Sequence, residues 1–262
     1  MRRARGRGTV LAASAGIAAL LLAGCARPGA HPPAAPETTS LSGDLVVLAA
    51  ASLQTAFSEL GAVLEQEHPG LTVAFSFGAS SSLARQVAAG APADVLATAS
   101  TATMADAGER AADPRRFARN ALVLAVPAGN PGGVTGLAHL ADPDLLVALC
   151  APEVPCGAVA EQVLAAAGVV AAPDTYEKDV TATLTKVVLG EVDAALVYRT
   201  DVLAAGDAVQ GITVPEADAA TTDYPVAVLR DAGHPAAARA FVDLVLSEPG
   251  QAVLAAAGFD GP

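Results

Sequence analysis

The feature that most constrains this chain is a pattern used twice between Leu45 and Arg85, in which an apolar strand runs out into serine where a helix begins. Leu45 to Ala50 is a short apolar run fit for a buried parallel strand. Ser52 then opens a stretch in which Leu53, Ala56, Phe57, Leu60, Val63 and Leu64 recur at three- and four-residue steps. His68-Pro69-Gly70 ends that helix. Leu71 to Phe77 repeats the strand, Gly78-Ala79 turns, and Ser80-Ser81-Ser82 opens a second helix through Leu83, Gln86 and Val87. A helix start carries unpaired N–H groups and the positive end of a dipole. Two starts at the carboxyl edge of one parallel sheet therefore make a site for an anion, to which Ser52 and Ser80 add hydroxyl donors. One capping serine is usually no more than a cap, so it is the pairing that points to a site.

The rest of the chain sets the frame. Residues 1–24 read as an export signal, with Arg2, Arg3, Arg5 and Arg7 ahead of an apolar run from Val10 to Leu22. Leu22-Ala23-Gly24-Cys25 resembles the lipobox of bacterial lipoproteins, which makes Cys25 the lipidated first residue of the mature chain. The alternatives are a plain secretory peptide or a membrane anchor, for which the run falls short of the ~20 residues of a span. Residues 25–43, rich in Pro, Ala and Thr, read as a disordered tether in which His31 is solvated. A soluble domain held at the outer face of the cell membrane follows. Losing the signal leaves 11 Lys+Arg against 27 Asp+Glu, a charge of about -16, and with no Trp and 3 Tyr the chain lacks the footprint of a nucleic-acid partner.

From Asp44 onward strands and helices alternate, which predicts an α/β fold with largely parallel sheets. Asp94 to Ala97 is a third strand, with a short helix near Thr101 to Ala107. Asn120 to Pro127 is a long apolar strand, Leu145 to Ala148 another that leads to a helix from Ala158 to Ala167, and Gly190 to Tyr198 a turn and strand. Tyr224 to Val228 is a strand, and helices from Pro235 to Leu246 and from Glu248 to Ala257 close the chain.

The words AAASL (Ala49 to Leu53), SFGASSSLARQ (Ser76 to Gln86) and AGAPADV (Ala89 to Val95), in this order and spacing, closely resemble the molybdate-binding proteins of ABC importers. The match is loose from Thr98 to Asn120. The resemblance implies a two-lobed fold of the type II periplasmic-binding-protein kind, with two strands crossing at a hinge: lobe one over 44–122, lobe two over 123–223, and a return to lobe one over 224–262. It also implies an oxyanion site. Ser52 and Ser80 correspond to the family's serine donors, Cys156 and Val180 to positions whose backbone N–H reaches the anion, and Tyr198 to the tyrosine whose hydroxyl completes the site. Should molybdate be counted as a bound metal, these five residues are its metal site as well. Cys156 departs from the small residue of the family's DPxxxPAG-like turn, though a main-chain contact tolerates a different side chain.

With Cys25 lipidated, Cys150 and Cys156 remain in an oxidising compartment, where a disulfide is expected. Two buried thiols or a redox pair are the alternatives, although the separation is wrong for C-x-x-C. The function implied is capture of molybdate, and of tungstate with it, by a monomeric lipoprotein that delivers it to an ABC permease, without enzymatic activity or cofactor. None of the five positions is Lys or Arg, yet oriented N–H and O–H donors hold a buried oxyanion at on the order of 1.5 to 3 kcal/mol each. A donor-only cage also rejects hydrogen phosphate, whose O–H needs an acceptor. Two other readings stay open: the same fold with sulfate or another small anion, and an exported serine hydrolase. The hydrolase lacks a G-x-S-x-G or S-x-x-K frame, and His31, His68, His139 and His234 fall in tether, turn or loop.

Overall fold

The computed structural model describes residues 40–262, which form one compact unit; the export signal, Cys25, His31 and the tether as far as residue 39 lie outside the described residues. Strand β1 (Ser42–Ala50) begins two residues before the predicted domain edge and passes through a 3-10 turn (Ala51–Leu53) into α1 (Gln54–Glu67). β2 (Gly70–Gly78), α2 (Ser80–Ala88), β3 (Val95–Ala97), α3 (Thr101–Ala105) and β4 (Ala111–Asn120) follow. The second series is β5 (Leu122–Pro127), β6 (Val147–Cys150), α4 (Pro155–Ala167), β7 (Thr175–Glu177), α5 (Val180–Val188), β8 (Ala194–Tyr198), α6 (Arg199–Ala205) and β9 (Val209–Ile212). The chain closes with β10 (Thr222–Leu229), α7 (Pro235–Leu246) and α8 (Glu248–Ala256).

The strands form two five-stranded sheets, in the orders β2-β1-β3-β10-β4 and β7-β6-β8-β5-β9. In each, the three strands on one side run parallel (β2, β1, β3 and β7, β6, β8), while β10 and β5 run antiparallel to both neighbours, so the sheets are mixed rather than largely parallel. The long strand read from Asn120 to Pro127 is the meeting point of two strands in different sheets. β4 ends at Asn120 in the first and β5 begins at Leu122 in the second, so the chain changes lobe at Ala121. It returns between β9 and β10.

The same device aligns the strand starts in both lobes. Asp94, Asp174 and Asp193 each stand just before a strand. Each donates its N–H to the carbonyl of, and accepts on its carboxylate the N–H from, one residue of the neighbouring stretch of chain: Val46 within β1, Val147 at the start of β6 and Leu146 just before it, at 2.8 to 2.9 Å. The lobe-one core is aromatic, with Phe57 packed on Phe117 and edge-on to Phe241. The lobe-two core is aliphatic, built on Leu122, Leu124, Val147, Val163, Leu196 and their neighbours. Ala51 and Ala79, from the strand-to-helix turns of lobe one, pack against the lobe-two core, so the cleft is closed. Among the described residues no helix is long and apolar enough to cross a membrane.

β4 is the element that periodicity does not announce. Its sequence, AADPRRFARN, carries a proline and three arginines, Asp113 takes a positive φ of 46°, and its pairing with β10 is interrupted by two register shifts. These are the marks of an edge strand, where an outward N–H needs no partner and charge discourages foreign pairing.

Candidate functional site

Six segments, each where a strand gives way to a turn or helix, converge on one small cavity between the lobes. β1 delivers Ala50, Ala51 and Ser52; β2 delivers Gly78, Ala79 and Ser80; β3 delivers Ala99. From lobe two come Val154 to Cys156 at the start of α4, Asp179 and Val180 at the start of α5, and Tyr198 at the end of β8. The structure thus brings Ser52, Ser80, Cys156, Val180 and Tyr198 to one place, two from one lobe and three from the other. The space open to an oxygen-sized centre is about 20 Å³. That is roughly the region in which oxygens sit one bond length around a central atom, and far below the several hundred Å³ of an organic-ligand pocket.

Each donor is held by local structure. The 3-10 turn, α2 and α4 have no side-chain cap, which leaves their first N–H groups for the cavity. α5 is capped by Asp179, whose carboxylate accepts from Ala182 N at 2.8 Å and leaves the Val180 amide in the first turn. Ser80 Oγ, 2% exposed, accepts from Ala99 N at 2.9 Å and so keeps its own proton to give. Ser52 Oγ lies 2.8 Å from the Tyr224 hydroxyl. Cys150 and Cys156 are joined by a disulfide across the turn that opens α4, and Gly157 lets that helix approach the carbonyl of Ala151, a place any Cβ would fill.

Tyr198 is 1% exposed, and its hydroxyl has no hydrogen-bond partner among the described residues. A buried donor left without an acceptor costs roughly 1 to 3 kcal/mol, and a ligand oxygen in the cavity is the acceptor this geometry accommodates. Burial first, then the proximity of Tyr224 and the charge of Asp201, push the Tyr198 phenol well above its ordinary range, so it stays a neutral donor. No Lys, Arg or His lines the cavity. Among the described residues no cluster of three or more His, Cys, Asp or Glu is placed to hold a metal cation.

Sequence reasoning passed over three residues here. Asp179 carries a signal that could have found it, an aspartate directly before the apolar start of a helix. Ala99 and Tyr224 carry none, since both enter through the sheet order.

A model of the family described as bacterial extracellular solute-binding protein matches residues 45–260. The curated molybdate-binding protein ModA of Mycobacterium tuberculosis (strain H37Rv) is 40% identical over 251 residues, which cover 94% of this chain and 96% of the relative. Among solved structures, the Azotobacter vinelandii periplasmic molybdate-binding protein superposes with a TM-score of 0.72 at 21% identity, covering 83% of this chain and 99% of that one. The sulfate-binding protein SubI of M. tuberculosis superposes with a TM-score of 0.71, also at 21% identity, covering 83% and 86%. At that identity the two structures speak for the fold alone, and the fold serves more than one oxyanion.

Proposed function

The chain belongs to the molybdate-binding proteins, within the bacterial extracellular solute-binding family, and on that premise we propose that it captures molybdate, and tungstate with it, and hands it to an ABC permease. One observation carries the reading: neutral donors from both lobes surround an ion-sized cavity in which the buried Tyr198 hydroxyl lacks an acceptor. Ser52 and Ser80 give O–H donors, the starts of α4 and α5 give the amides of Cys156 and Val180, and closure of the lobes brings the two sets together. The anion is cargo, and no cofactor takes part. Lipidation at Cys25 would hold the domain, as a monomer, at the outer face of the membrane that carries the permease. The hydrolase reading loses ground at the serines, because Ser80 is engaged by an amide and Ser52 by a phenol, and no His or Lys lines the cavity to act as base.

The test is a calorimetric titration of residues 40–262 with molybdate, tungstate, sulfate and phosphate in turn. Binding of the first two, with phosphate silent and sulfate much weaker, is expected. Preference for sulfate would transfer the site to that ion, and silence to all four from a folded sample would remove the oxyanion cage altogether. Replacing Cys25 by serine is expected to release the protein from the membrane fraction, and its retention there would exclude the lipid anchor.

A further inference from the structure

We propose that Tyr224 is a positioning residue of the oxyanion site: its phenol donates to Ser52 Oγ and thereby commits the Ser52 proton to the bound anion. The inference rests on the oxyanion reading above. Tyr224 is fully buried and does not line the cavity, but its hydroxyl stands 2.8 Å from Ser52 Oγ, which does.

A pair of hydroxyls can be polarised either way. With Ser52 donating to Tyr224, the serine lone pairs would face the anion and repel it. With Tyr224 donating, the serine proton is free for the ligand.

The oxyanion reading requires the second direction: a serine hydroxyl has one proton, so a Ser52 that gives it to the anion can only accept across its 2.8 Å contact with Tyr224. The order of donation runs Tyr224 to Ser52 to anion, and hydrogen bonds aligned in one direction strengthen one another. The ring is held so that the hydroxyl cannot swing away: Phe259 lies edge-on at 5.2 Å, Tyr198 at 6.0 Å and Phe117 at 6.3 Å between centroids.

The experiment is a double-mutant cycle read by calorimetry on the purified protein with molybdate. Tyr224→Phe keeps the ring and its packing and removes only the hydroxyl. It is expected to weaken binding about tenfold, while the circular dichroism of the anion-free protein is unchanged. In the Ser52→Ala background the same change is expected to cost less than twofold, because the hydroxyl it would orient is gone. A merely structural role for Tyr224 would weaken both backgrounds alike, and that additivity, or a Tyr224→Phe protein that binds like wild type, overturns the proposal. Failure of the wild-type protein to bind molybdate would instead strike the oxyanion reading beneath it.

Discussion

Asp201 is an acidic side chain at 7% exposure, one turn from Tyr198, and its carboxylate accepts the Tyr198 N–H at 3.0 Å. Burial pushes its pKa up from 3.8 to about 7, the charge of Asp179 adds to the rise, and the bond from Tyr198 opposes it. The folded state thus binds this proton more tightly than the unfolded chain does. The stability it contributes is fully present below about pH 4 and is lost as pH rises towards about 7, at no more than roughly 1.4 kcal/mol per pH unit. Asp201→Asn, which retains an acceptor for Tyr198 N, is expected to flatten that slope in denaturant titrations run from pH 4 to 7. The serines give the complementary case. Ser52→Ala or Ser80→Ala removes one donor to a charged ligand and is expected to weaken molybdate binding by about ten- to a hundredfold, with the unfolding midpoint of the anion-free protein nearly unchanged. Ser52 and Ser80 were legible because a strand end followed by a helix start is a local pattern, whereas Val180 came from the family resemblance. Tyr224 and Asp201 were not, since the partner of one lies 172 positions away and the chemistry of the other comes from burial.

At the scale of elements, the turn between β6 and α4 shows how a helix start is held for use. The disulfide joins Cys150 at the strand end to Cys156 in the first helical turn, and Cys150 Sγ also lies 3.3 Å from Thr183 Oγ1 on α5. Two helices that supply amides to the cavity are tied to the same sulfur pair. Closing so short a loop contributes about 2 kcal/mol on the chain-entropy estimate. Replacing both cysteines by serine is expected to lower the unfolding free energy by about that amount and, by loosening the Cys156 amide, to weaken anion binding severalfold in the same calorimetric assay. The strands and helices named from the sequence are observed, because each hides its own apolar face, while the short β7, α6 and β9 were not named. β4 escaped that reading: of its ten residues only Phe117, Ala118 and Asn120 are buried, and its partner β10 follows a hundred residues later. An edge strand is specified by what it pairs with, and pairing partners are not written side by side.

For the molecule as a whole, the proposed function depends on two lobes meeting over one ion. A ligand that binds only the closed native form adds stability by mass action, about 2.7 kcal/mol at a hundred times the dissociation constant. For a domain of this size that corresponds to a rise of roughly 5 to 10 °C in Tm, expected with molybdate and absent with phosphate in a thermal scan. The route of the chain through the two lobes has a further consequence, for the order in which the protein comes into being. The lobe-two sheet is made only of strands between Leu122 and Ile212, whereas the lobe-one sheet receives β10 between β3 and β4 and packs on α7. A fragment spanning residues 121–220 is therefore expected to give dispersed amide signals on its own, while a chain cut after residue 220 keeps lobe two and loses lobe one; an unfolded fragment would refute this. Threaded out of the cell from its first residue, the chain cannot finish its first lobe until its last forty residues have emerged. The cavity shared between the lobes is the last thing to be made, so on the proposed function a partly emerged chain cannot yet hold an anion.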